Sequence, residues 1–150
     1  MTPGYAATPL ARKLGLKAGQ AVAFVGLPEA LAGLSDAAAF RRIETALDWR
    51  ALPEGARDVI QMFTTSAKDL TAALPVLRDL ITPAGVIWIS WPKKASKVPT
   101  DLTEDVIRNL ALSDVLVDVK VCAVDAVWSG LKLVVRVEAR ENHVNAGVAA

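Results

Sequence analysis

Two adjacent lysines, Lys93 and Lys94, stand in "ISWPKKASKVPTDLTEDVIRNL", residues 89–110, where an apolar run ends and a polar segment leads into a helical pattern. Lysine ammonium groups are compact positive charges that could hold a phosphate or a carboxylate. A second feature of the same sign lies upstream. Ser66, following Thr64 and Thr65, can cap a helix, and the free amides of a helix start also favour an anion. The competing reading is plainer: loop lysines are mostly solvated, and a capping serine needs no ligand. Neither feature is catalytic. The one histidine, His143, lies in a C-terminal stretch without pattern, so a Ser/His/Asp or Cys/His arrangement in the core would have no base. Asp101, Glu104 and Asp105 are carboxylates, but they fall where a first helical turn is expected, and acids there stabilise the helix dipole. No His/Cys/Asp/Glu spacing fits zinc. The residues therefore name no catalytic group, no metal ligand and no cofactor.

A chain of 150 residues is the length of one ordinary domain with a single core. Lys and Arg number 17 against 16 Asp and Glu, so a net charge of +1 exerts no long-range pull on nucleic acid or on an anionic membrane. Neither is an expected partner. The lone cysteine, Cys122, rules out a disulfide framework within the chain. It sits in the strand-like run "VLVDVKVCAVD", where a thiol behaves as a small buried hydrophobe. The opening "MTPGYAATPLARKLG" lacks the apolar core of a signal peptide, and the apolar runs fall short of the roughly 20 residues that span a bilayer. A cytoplasmic protein is the expectation.

The elements that must position these residues follow from periodicity. "TPLARKLGLKAG" reads as a helical turn closed by Gly15, and Gln20 to Gly26 as a strand apolar on both faces, as in a central parallel strand. Residues 28–56 stay open: Phe40, Ile43 and Leu47 have helical spacing after Ser35, yet "RRIETALDW" could equally give a short strand. Arg57 to Thr64 is a strand, and Ser66 opens a helix with an apolar stripe at Leu70, Leu74, Leu77 and Ile81. Pro75 predicts a kink or a break in it. "TPAG" ends that helix before a buried strand at Val86 to Trp91. Asp101 and Glu104 form a capping-box-like start for the next helix, with Leu102, Val106, Ile107, Leu110 and Ala111 on its apolar side. A strand from Val115 to Val124 and a last strand from Leu131 to about Ala139 follow, the latter alternating as an antiparallel, half-exposed strand does. One domain over 1–140 and a flexible tail over 141–150 are expected. Strands alternating with helices and ending in two consecutive strands predict a three-layer α/β sandwich, its sheet mostly parallel with a C-terminal antiparallel hairpin.

This order, with the segment "LRDLITPAGVIWISWP", resembles the C-terminal half of a class I methyltransferase, the Rossmann-like fold that binds S-adenosylmethionine. The stretches "TPLARKLGLKAG", "SWPKKASKVPTDLTEDVIRNLAL" and "DVKVCAVDAVWSGLKLVVR" also resemble a family of small bacterial proteins defined as a domain of unknown function, which implies a shape and no activity. Against the methyltransferase pattern, the first strand ends "VAFVGLPEAL": only Gly26 stands where those enzymes have an acidic residue and a glycine-rich loop, and Pro28 stiffens the turn. "FTTSAKD" replaces the proline-containing acidic motif of the enzymes that methylate exocyclic amines.

The resemblance implies a sheet order that brings the carboxyl ends of strands 20–26, 57–64 and 86–91 together, where doubly wound sheets hold ligands. That edge collects Gly26, Thr64, Thr65, Ser66, Trp91, Lys93 and Lys94, with Trp128 on the "VDAVWSG" connector as either a lid over it or an anchor onto the sheet. The sequence puts first a non-catalytic methyltransferase-like domain that acts through protein contacts, as a homodimer or with another protein. A binder of a small anionic ligand or nucleotide at this edge comes second, and an S-adenosylmethionine-dependent methyltransferase third.

Overall fold

The structure, a computed structural model, describes residues 9–142. Helix α1 (Pro9–Lys13) closes at Gly15, whose φ of 70° is the left-handed conformation that glycine adopts without strain. Strand β1 (Ala21–Val25) follows, buried at every position, and then a 3-10 helix, Glu29–Asp36. The stretch that the sequence leaves open resolves as strand β2 (Arg42–Ala46). The helical spacing of Phe40, Ile43 and Leu47 is coincidental: Ile43 pairs with Val22 of β1 in a parallel ladder, and Leu47 is 96% exposed. Pairing with β2 satisfies the backbone of β1 on that side, which a helix could not do.

Strand β3 (Arg57–Phe63) leads to helix α2 (Ala67–Asp79), which buries Leu70, Ala73, Leu74 and Leu77. The helix continues through Pro75 without a break, and Ile81 belongs to the next strand. That strand, β4 (Ile81–Pro92), begins before "TPAG", which is a bulged strand start and not a turn: β3 pairs Arg57 with Ile81 but Val59 with Val86. Gly85 makes the bulge fit, since a Cβ there would lie 2.9 Å from both the Ile81 Cβ and the Thr82 carbonyl oxygen. Helix α3 (Glu104–Leu112) is capped by Thr103, not Asp101; its hydroxyl accepts the Val106 amide at 3.2 Å. Strands β5 (Leu116–Ala123) and β6 (Trp128–Val135) complete the fold before a 3-10 helix, Val137–Asn142.

The six strands order as β2-β1-β3-β4-β6-β5. β2, β1, β3 and β4 run parallel, while β6 is antiparallel to both β4 and β5. This is the expected mixed α/β sandwich, mostly parallel with a C-terminal antiparallel hairpin. α2 and α3 cover one face, over Val25, Ile60, Met62, Ile87, Ile89, Leu131 and Leu133. On the other face α1 and the segment around Leu34 cover Val22, Phe24, Val59 and Trp88. The Trp88 indole N–H donates to the Leu14 carbonyl at 3.1 Å, which pins α1 to the sheet. Leu131, Leu133 and Val135 are buried on β6 as their alternation predicts, but Val137 has left the strand and is 71% exposed. Cys122 on edge strand β5 is half-buried, and burial pushes its thiol up against the smaller opposing pull of Lys13 and Lys120. No helix among the described residues is long and apolar enough to cross a membrane, and no group of metal-ligating side chains occurs among them. His143 and the rest of the expected tail from 143 on lie outside the described residues, whereas 141 and 142 belong to the final 3-10 helix.

Candidate functional site at the carboxyl edge

The carboxyl ends of β1, β2 and β3 meet at Gly26. Its amide donates to the Ala46 carbonyl at the end of β2, 2.8 Å away. Its φ is +67°, and a Cβ at this position would lie 2.9 Å from the Phe63 carbonyl oxygen at the end of β3. Both facts require glycine, and the second shows that the end of β3 closes directly onto the Gly26 backbone. Trp128 is the first residue of β6 and packs edge-on against Phe63, ring centroids 5.3 Å apart. Of the two readings open for it, this contact is that of an anchor onto the sheet at the end of β3.

Asp48 lies just past β2, 22 residues after Gly26. It caps the short 3-10 turn Trp49–Ala51: its carboxylate accepts the Arg50 amide at 2.7 Å and the Arg50 guanidinium at 3.1 Å. The backbone amide above all, then the guanidinium, holds this exposed carboxyl below the ordinary aspartate range. Trp49 is buried and donates its indole N–H to Asp69 of α2 at 3.0 Å. The loop behind it is clamped by Arg57, whose fully buried guanidinium bonds Glu44 at 2.8 and 3.0 Å and the carbonyls of Pro53 and Gly55. Asp48 was hidden to sequence reasoning because β2 was; the available signal was an acid about 20 residues beyond the first strand's glycine.

The helix start expected to offer free amides is tied up by the chain's own oxygens. Thr64 is buried, and its hydroxyl accepts the Ser66 amide at 3.3 Å. The Ser66 hydroxyl accepts the Asp69 amide at 3.1 Å. Asp101, expected to cap α3, instead places its carboxylate on the Ala67 amide at 2.8 Å, so an internal anion takes the favourable end of α2. Thr65 is exposed, and its carbonyl accepts the Thr100 hydroxyl at 2.6 Å. Trp91 is buried in the cluster beneath α2 and α3. Lys93 is half-buried and Lys94 exposed at the start of a 3-10 turn, neither in an ion pair with another described residue. Trp128 also pairs with Pro92 of β4, and the Lys93 amide donates to the Val127 carbonyl at 2.7 Å, so the connector that carries Trp128 lies beside the lysine segment.

No family model matches the chain, which leaves the resemblance to small bacterial proteins of unknown function without support, and no curated protein matches it. Solved structures do match. A SAM-dependent methyltransferase from Aquifex aeolicus superposes with a TM-score of 0.65 at 19% identity, over 83% of this chain and 86% of that one. Magnesium protoporphyrin IX methyltransferase from Synechocystis PCC 6803 with bound SAM gives 0.61 at 14% identity, over 85% of this chain and 74% of that one. The same enzyme with bound SAH gives 0.58 at 13% identity, over 84% and 78% of the two chains. These matches overturn the expectation of a non-catalytic domain acting through protein contacts, because the structures it resembles are enzymes, two of them with the methyl donor or its product in place. They favour the reading that the sequence puts third. The chain has the Rossmann-like fold of the class I methyltransferases.

Proposed function

We propose that the chain binds S-adenosylmethionine over the joined carboxyl ends of β1, β2 and β3 and passes its methyl group to a nucleophile. The observation that carries this reading is the convergence at Gly26, a left-handed glycine at the end of β1 that lets the ends of β2 and β3 close onto one point of the carboxyl edge. Asp48 supports it, an ionised carboxylate at the end of the neighbouring strand, in the place from which a Rossmann-like site grips ribose hydroxyls. The strand order β2-β1-β3-β4 reverses between β1 and β3, and open α/β sheets take their ligands at such a reversal.

Methyl transfer asks little acid–base chemistry of the protein. A lone pair on the acceptor forms the new bond to the methyl carbon while the carbon–sulfur electrons return to sulfur, so in-line alignment supplies most of the catalysis. The segment after β3 reads Thr64-Thr65-Ser66 and carries no carboxylate or imidazole of its own, and the Asp101 carboxylate beside it is engaged by the Ala67 amide. An acceptor that is already ionised, or an unprotonated nitrogen, suits such a site.

Calorimetric titration with S-adenosylmethionine and S-adenosylhomocysteine tests the proposal. The expected result is one site per chain, weakened roughly tenfold by Asp48→Asn through loss of charge-assisted hydrogen bonds. Absence of binding at millimolar ligand, or full affinity in the Asp48→Asn protein, would count against it.

A further inference from the structure

We propose that a second site, a cavity of about 500 Å³ between the end of β4 and the start of α3, binds a small anion with an apolar body. Trp91 and Pro92, both buried, and Leu102, 3% exposed, form its floor, and Val98 lines its wall. Lys94 and Lys97, both exposed, line it as well. That size and mixture, apolar surface with a few convergent polar groups, is what small-molecule pockets have.

Charge selects the ligand's sign. Neither lysine is in an ion pair with another described residue; the acid in the wall, Glu104, bonds Arg108, which it shares with Asp105 and Asp118. The lining therefore carries two ammonium groups against one carboxylate, beside an indole. Backbone conformation adds an independent argument. Lys97 has φ 62° and ψ 11°, and it is the one non-glycine residue with positive φ among those described. It follows the turn Lys94–Ser96, a position where glycine is the unstrained choice. A lysine held in this conformation in a cavity lining costs stability that glycine would not, and such strain gathers at ligand clamps.

The rim is also fixed. The Ser96 hydroxyl donates to the Lys93 carbonyl at 2.6 Å, and the Thr100 hydroxyl donates to the Thr65 carbonyl at the same distance, tying the loop to the carboxyl edge. The occupant lays its apolar body against Trp91 and Leu102 and directs a carboxylate or phosphate between the two ammonium groups. That this anion is the methyl acceptor rests on the methyl-transfer reading; its binding does not.

Calorimetry with four probes tests the site in the absence of any methyl donor: phenylacetate, phenyl phosphate, 2-phenylethanol and inorganic phosphate. The expected result is binding of one or both phenyl anions, which tells the two head groups apart, with the alcohol and inorganic phosphate roughly tenfold weaker or undetectable. Lys94→Ala should weaken the anion. Lys97→Gly should weaken it too while raising the melting temperature, because it removes the ammonium and relieves the backbone together. Equal binding of the alcohol would mean a merely apolar slot, equal binding of inorganic phosphate a merely basic patch, and either overturns the proposal. So would no binding of either phenyl anion, or unchanged affinity in both lysine variants. A loss of S-adenosylmethionine binding alone would leave this site standing, and the reverse also holds.

Discussion

The Arg57–Glu44 pair makes a quantitative prediction about the loop that carries Asp48. Arg57 is fully buried on β3, whereas the Glu44 side chain on β2 keeps 16% of its exposure and a second partner, Arg42, at 3.2 Å. The two perturbations are therefore unequal. Glu44→Ala strips the guanidinium of both its carboxylate bonds and leaves a buried cation facing only the Pro53 and Gly55 carbonyls, which can accept hydrogen bonds but cannot neutralise it. Breaking a buried pair this way costs about 3 kcal/mol or more. Arg57→Met leaves an anion that still has Arg42 and some water, and a side chain that fills most of the same space, so about 2 kcal/mol is expected. The double variant should lose less than the sum, since with neither charge present no uncompensated group remains. Urea denaturation followed by tryptophan fluorescence gives all three values. A cost for Glu44→Ala below about 1 kcal/mol, or a larger cost for Arg57→Met than for Glu44→Ala, would refute the reasoning.

Other expectations follow from single positions. Gly26→Ala places a Cβ 2.9 Å from the Phe63 carbonyl in a left-handed conformation, and should cost about 2 kcal/mol in urea unfolding while abolishing S-adenosylmethionine binding. Gln61 lies fully buried on β3 with neither side-chain polar atom bonded to another described residue, so Gln61→Met should raise stability by about 1 kcal/mol and lift the melting temperature. Cys122 has a thiol pushed up by burial, so less of it is thiolate at any given pH: its alkylation by iodoacetamide at mildly alkaline pH should be slower in the folded protein than in urea. Equal rates would contradict the burial of the thiol.

The parts of the fold legible in the sequence are those whose side chains see one environment. β1, β3 and the core of β4 announce themselves as unbroken apolar runs because they are buried on both faces, and Ser66 with Leu70, Leu74 and Leu77 declares α2 because its stripe faces one sheet. β2 is obscure for the opposite reason. It is an edge strand whose burial alternates over five residues carrying Arg42 and Glu44, and its identity comes from pairing with β1. Losing β2 also loses Asp48, which has meaning only as the acid at a strand's carboxyl end. The capping error has a tertiary cause: Asp101 and Thr103 both fit a helix start, and Asp101 is drawn off by the Ala67 amide of a different helix. Gly26 and the lysines were visible as residue types, yet the bonds that hold the lysine loop, Thr100 to Thr65 and Lys93 to Val127, come from tertiary pairing.

The central claim is that the carboxyl ends of β1, β2 and β3 receive S-adenosylmethionine. Amide chemical-shift mapping on isotope-labelled protein during titration with S-adenosylmethionine tests it most directly, because it reads both binding and place. The account predicts saturable shifts centred on Gly26, Leu27, Asp48, Thr64 and Thr65. A spectrum unchanged at millimolar ligand, or shifts confined to the amino ends of the strands around Gly19 and Asp58, would contradict it.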